Sequence, residues 1–187
     1  MSSSDPIIEV VAKMSYGEHS AAVVDELHLR EIVCSFVEYG IDNNRCNVLL
    51  ISRDEEPKYK KFLVRRDIDV DGFMNSKLII FVPHNDFGFK ASKSSFEAIV
   101  EKLHDIRKLA ESKGRSGLNI LSTFAGSLCK KGKYDDCLSI EKGWHELIPE
   151  FPMPMTVLHL YEHKIPAHVE KHLHQYHNHV VLAVPAF

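Results

Sequence analysis

The residues with the clearest chemical capacity crowd the last thirty positions of the chain. Of 12 histidines, His159, His163, His168, His172, His174, His177 and His179 all fall there. On a helix, His168 and His172 lie four apart and share a face, while His174 and His177 are three apart. Paired imidazoles at that spacing can bind zinc, nickel or copper. A zinc-hydrolase pattern of the HExxH kind needs a glutamate directly after the first histidine. Val169 stands there instead, with Glu170 one place later. The plainer reading is a solvated helix face whose imidazoles titrate near pH 6.5. His168, His172, His174 and His177 therefore form the alternative, metal-binding reading, and no cofactor is expected on the leading one.

Other chemistries lack their marks. GxxxxGK[ST], GxGxxG and GxSxG are all absent. The junction Val24-Asp25-Glu26-Leu27 carries two carboxylates and no glycine, which suits a helix dipole and repels a polyphosphate. Gly126-Ser127-Leu128-Cys129, followed by Lys130, Lys131 and Lys133, reads as an exposed basic loop. Cys129 and Cys137 could meet across it, and a redox role is weighed there against plain loop and helix residues. Trp144 sits among apolar helix positions and is expected in the core.

Composition bounds the class. The 187 residues are 44% hydrophobic and 26% charged, with net charge −3. That is ordinary for one globular domain and carries no basic footprint for nucleic acid. No apolar run approaches the ~18 residues of a membrane span, and the start has no secretory pattern. Four scattered cysteines make no disulfide framework. A cytoplasmic chain is expected, with an N-terminal arm over 1–13 and one α/β domain over 14–187.

The elements that must position any site alternate. Buried strands are expected at Ser20–Val24, Cys46–Ser52, Lys77–Val82, Leu118–Phe124, Met155–Tyr161 and Val180–Val184. Helices are expected at Leu27–Tyr39, ended by Gly40, and at Asp54–Arg65 with Pro57 in the first turn. Ser94 and Glu97, in capping-box spacing, open a further helix to about Lys113. Cys137–Ile148 and Pro166–Gln175 complete the set. Asp67–Gly72 reads as a polar connector, His84–Ser92 as a loop, and Gly126–Asp136 as another. Strands written as continuous apolar runs, with helices between, imply a mainly parallel sheet of about six strands in a three-layer α/β fold.

The order of these features resembles the methanogen/methylotroph sensory (MEDS) family. Gly17-Glu18-His19 is similar to the family's opening Gly-x-His. Phe36-Val37-Glu38-Tyr39-Gly40-Ile41 followed by Asn44-Arg45-Cys46 resembles its helix-to-strand turn. Glu141 sits where the family places a glutamate. Tyr161-Glu162, a helix, then His177 and an apolar strand resemble its close. The aromatic that often follows the opening histidine is missing, since Val23, Val24 and Asp25 stand there. The resemblance implies a RecA/KaiC-like fold that has lost the phosphate loop, and a sensor of small organic compounds. No helix-turn-helix is evident, so direct DNA regulation is not expected.

The leading expectation is a non-catalytic sensory domain that binds a small organic ligand or a regulatory protein partner, with His19, Glu141 and Tyr161 as contacts near one end of the sheet. His19 and Glu141 would supply a donor and an acceptor, and Tyr161 a stacking face with a polar tip. A metal protein or enzyme using the C-terminal histidines is the alternative, and a self-associating homo-oligomeric module is a third reading.

Overall fold

Six strands alternate with helices, and four fully buried strands lie between two partly exposed ones. The computed structural model describes residues 14–87 and 93–182, excluding the side chains of 93–95. The expected N-terminal arm therefore lies outside the described residues, as do the end of the last strand and the Ser94 capping contact. The strands are β1 (His19–Val23), β2 (Cys46–Ile51), β3 (Ile79–Pro83), β4 (Leu118–Ser122), β5 (Met155–Tyr161) and β6 (His179–Leu182), in the order β3-β2-β4-β5-β1-β6. Every pairing is parallel. Each residue of β1, β2, β4 and β5 is buried, as helices on both faces require. The partly exposed β3 and β6 take the edges.

The helices are α1 (Glu26–Asp42), α2 (Glu56–Val64), α3 (Val70–Asn75), α4 (Lys93–Ser112), α5 (Phe124–Lys130), α6 (Tyr134–Glu150) and α7 (Ala167–Tyr176). Strand alternation sorts them into layers. Ala22, Leu49, Ile51, Leu121, Leu158 and Leu160 share one core with α1, α2 and α3. Their neighbours Ala21, Val48, Leu50, Ile120, Val157 and Tyr161 point the other way, into a core shared with α4, α5, α6 and α7. The chain thus has the three-layer, parallel α/β architecture expected from its apolar runs.

Three segments differ from the sequence expectation. Gly40 lies inside α1 and does not end it, because the helix presses there on two buried asparagines. A Cβ at Gly40 would lie 2.0 Å from Asn47 Oδ1. The connector at 67–72 contains the start of α3, with the Asp69 carboxylate accepting from the Gly72 N–H at 3.0 Å. The segment beginning at Phe124 is helix, not strand end and loop: α5 lays Gly126 on the Leu160 carbonyl, where a Cβ would sit 2.3 Å from the oxygen. Glycine's missing side chain, a breaker in isolation, here permits close helix–sheet contact. Within the nominal loop after β3, a 3-10 turn spans His84–Phe87. Helix α6 begins at Tyr134, three residues inside the expected loop, while Pro57 does lie in the first turn of α2 and Asp25 caps α1 through the His28 N–H.

Candidate functional site

The polar centre of the molecule lies beneath α6, in the layer between that helix and strands β1 and β5. The inward stripe of α6 is Cys137, Ile140, Glu141, Trp144 and Ile148, which follows the three-and-four spacing of a core face. Glu141 is the one charged residue on that stripe, and it is fully buried. Below it, β1 and β5 pair in the register Ala21↔His159. Side chains two apart share a face, so His159 and Tyr161 project from β5 toward Glu141. His19 enters from the start of β1, and His177 from the turn between α7 and β6.

These groups converge on the two carboxylate oxygens. The Tyr161 hydroxyl donates a short hydrogen bond to Glu141 Oε1. His159 Nδ1 lies 3.3 Å from the same oxygen. His177 Nε2 is 3.0 Å, and His19 Nε2 3.3 Å, from Oε2. The Cys137 thiol is 3.6 Å from the Tyr161 hydroxyl. The four side chains His19, Glu141, His159 and His177 are at most 2% exposed.

Backbone carbonyls fix two of the imidazoles. His19 Nδ1 is 3.1 Å from the Tyr176 carbonyl oxygen, and His177 Nδ1 is 2.8 Å from that of Leu173. A carbonyl only accepts, so both Nδ1 atoms carry protons and both Nε2 atoms turn toward Glu141. Three buried nitrogens of the cluster, His19 Nε2, His159 Nδ1 and His159 Nε2, have no hydrogen-bond partner. Buried polar atoms left this way cost about 1–3 kcal/mol each, which makes such a concentration unusual for a purely structural core.

Electrostatics follow from the enclosure. Burial alone would raise the Glu141 carboxyl, but His159, His177 and His19 hold it well below the usual carboxylate range. Burial depresses His19 despite the nearby Glu141 carboxylate, and pushes His159 down to about 3. Burial and the adjoining Glu141 raise the Tyr161 phenol well above its ordinary value, so it remains a donor. The result is a buried carboxylate facing two imidazoles, His19 and His159, that burial biases toward the neutral form. That arrangement can hold a cation or relay a proton. The more open depressions lie elsewhere: one of about 580 Å³ lies between α4 and α6 against Phe96, Gly143 and Leu147.

The structure brings His19, Glu141 and Tyr161 into direct contact, but mid-sheet under α6, away from the expected end of the sheet. It separates the four C-terminal histidines. His168 and His174 are exposed on α7 and His172 is half-buried, with its Nδ1 bonded to the His168 carbonyl at 2.7 Å. Their inward neighbours are Val169 and Leu173. Only His177 turns to the core. Among the described residues, the group able to share a metal ion is His19, Glu141 and His159, whose ligand atoms lie within 4.8 Å of one another.

His159 is the member missed by sequence reasoning. A usable signal existed: in Met155–Tyr161 it is two residues before Tyr161, so the pleat places both on one face. Cys137 and Cys129, buried and free, do come into hydrogen-bond contact, with His163 beside Cys129. Trp144 lies in the core, its ring 5.7 Å from that of His159.

No helix among the described residues is long and apolar enough to cross a membrane. Comparison with curated proteins returns no match. The model of one family, the methanogen/methylotroph DcmR sensory domain (MEDS), matches residues 18–178. That span runs from just before His19 to just after His177 and takes in the whole cluster, and the chain belongs to the MEDS sensory domain family.

Proposed function

We propose that this chain is a non-catalytic sensory domain whose input element is the buried cluster of His19, Glu141, His159, Tyr161 and His177. The single observation that supports this reading most is the set of unpartnered imidazole nitrogens facing one enclosed carboxylate. A core histidine with a merely structural task is hydrogen-bonded, whereas a receptor site holds polar atoms ready for a ligand that supplies the missing partners. His19 and Glu141 bind, Tyr161 and His177 orient the carboxylate, and Trp144 helps exclude water. The enclosure favours a ligand of a few atoms.

The output element is the sheet edge nearest the cluster. The His19 N–H donates to Asn178 Oδ1 at 2.8 Å, and the Asn178 N–H donates to the His19 carbonyl at 2.7 Å. With His19 Nδ1 and His145 Nδ1 both on the Tyr176 carbonyl, these bonds tie the site to the Tyr176–Asn178 turn and so to edge strand β6. A change of occupancy at His19 and His177 moves the strand whose outer edge, unpaired among the described residues, can pair with a regulatory partner.

Native mass spectrometry of untagged protein, purified from its own host without chelators, tests the input site. Wild-type protein is expected to carry a species that the Glu141→Gln variant lacks. The same species on both proteins, or bare wild-type protein, would contradict the reading.

A further inference from the structure

The ligand of this cluster can be named by chemical class. We infer that His19 Nε2, Glu141 and His159 form a site for one divalent first-row transition-metal ion of the zinc type. The inference deepens the proposed sensory function by naming what the input site takes, though its geometry stands independently.

Four observations carry it. The first is spacing. An ion bound at about 2.0–2.1 Å by nitrogen and oxygen in tetrahedral geometry sets its ligands about 3.3–3.4 Å apart. His19 Nε2 lies 3.3 Å from Glu141 Oε2 and His159 Nδ1 3.3 Å from Oε1, so each imidazole meets its own oxygen of the carboxylate, and one ligand atom from each residue fits within 4.8 Å of the others.

The second is preorganisation. The Tyr176 carbonyl takes the Nδ1 proton of His19 and leaves the Nε2 lone pair inward. A backbone carbonyl behind a ligating histidine is the usual outer support of a metal site. His177, anchored on the Leu173 carbonyl, presents its Nε2 3.0 Å from Glu141 Oε2. It stands as the carboxylate's outer donor.

The third is unmet demand. His19 Nε2 and both nitrogens of His159 lack hydrogen-bond partners although nearly all of each ring is buried. One ion satisfies both inward lone pairs and the carboxylate together.

The fourth is charge and access. A single carboxylate among imidazoles suits a divalent ion, and the nitrogen-rich donor set favours zinc, cobalt or nickel over calcium or magnesium. The apolar neighbours Ala21, Val157 and Trp144, all fully buried, keep bulk water from competing.

Chelator-treated, dialysed protein titrated with zinc by calorimetry, and with cobalt by visible absorption, tests the assignment. The expected result is one ion per chain and the ligand-field bands of tetrahedral cobalt. Affinity should fall by about 100-fold or more in Glu141→Gln and in His159→Gln. A triple His168→Ala/His172→Ala/His174→Ala variant should bind like wild type. His19→Gln gives an independent readout if either of the first two variants fails to melt cooperatively. No saturable binding, or binding lost in the triple variant and kept in Glu141→Gln and His19→Gln, would overturn the site. The two readings fail separately. If zinc does not bind while mass spectrometry finds another Glu141-dependent species, the ion assignment falls and the sensory reading stands. If zinc binds as predicted but β6 does not respond, the site stands and the sensory reading falls.

Discussion

Replacing Tyr161 by Phe removes one oxygen from a fully buried ring and leaves its packing intact, so the stability change reads the hydroxyl's contacts, a weak one to the Cys137 thiol and a strong one to Glu141. The strong bond runs to a carboxylate with no exposure to water. A hydrogen bond to a charged group contributes about 1.5–3 kcal/mol, and here no water can replace the lost donor. His177, His19 and His159 still face the carboxylate and soften the loss. We therefore expect about 2 kcal/mol. An internal control is Tyr59→Phe, since Tyr59 is equally buried and its hydroxyl donates to Glu162 Oε1 at 2.9 Å. The Glu162 side chain is 24% exposed and also pairs with Lys58 at 2.9 Å, so water and a cation remain available. Its loss should be about 0.5–1.5 kcal/mol. In urea unfolding, with a slope of about 2 kcal/mol per M, the midpoint falls by about 1 M for Tyr161→Phe and by about half that for Tyr59→Phe. Equal shifts, or a neutral Tyr161→Phe, would refute the claim that a desolvated carboxylate sits at the centre of the site.

Further consequences concern the acid range, a helix contact and the thiols. Burial, with Lys131 nearby, pushes His84 down to about 4. The unfolded chain therefore takes up a proton near pH 6.5 that the folded chain refuses until about pH 4, and stability falls across that window by about 1.4 kcal/mol per pH unit, about 3 kcal/mol in all. Urea midpoints at pH 7, 6 and 5 should fall less steeply in His84→Gln, and an unchanged slope would contradict the assignment. At Gly126 a Cβ would meet the Leu160 carbonyl, part of a rigid central strand. Gly126→Ala should destabilise by about 1–3 kcal/mol despite alanine's better helix propensity, whereas a stabilised variant in thermal melts would mean that α5 does not press on β5. The Cys129 thiol is drawn down by its hydrogen bond to Cys137 and by His163, while burial pushes Cys34 up to about 11 and Cys46 up to about 12. Alkylation of native protein followed by peptide mapping should mark Cys129 before Cys34 or Cys46.

How far the sequence revealed this structure depended on whether a residue's role was local. The strands were legible because CNVLLI and MTVLHLY are written for burial on both faces. The long helix α4 declared itself by Ile99, Leu103, Ile106 and Ala110 at its buried positions. Gly40 and Gly126 misled because their meaning lies in what packs on them, Asn47 in one case and the Leu160 carbonyl in the other, and neither contact is local in sequence. The site divided the same way. His19, Glu141 and Tyr161 were found through resemblance. His159 looked like a strand histidine among others, and only the register Ala21↔His159 brings it under Glu141. Density in sequence pointed instead to His168, His172 and His174, which the helical period of α7 turns toward solvent while Val169 and Leu173 take the inward positions.

The central claim is that the buried cluster is coupled to the β6 edge, and hydrogen exchange measures that coupling most directly. Amides of Asn178 and of β6 in wild-type protein should be compared with those in Glu141→Gln, with edge strand β3 as the internal reference. Loss of the charged acceptor removes about 1.5 kcal/mol of local support from His177, so exchange at Asn178 and β6 should quicken about tenfold while β3 stays unchanged. Exchange at β6 that is indifferent to Glu141, or that rises equally in β3, would contradict the account.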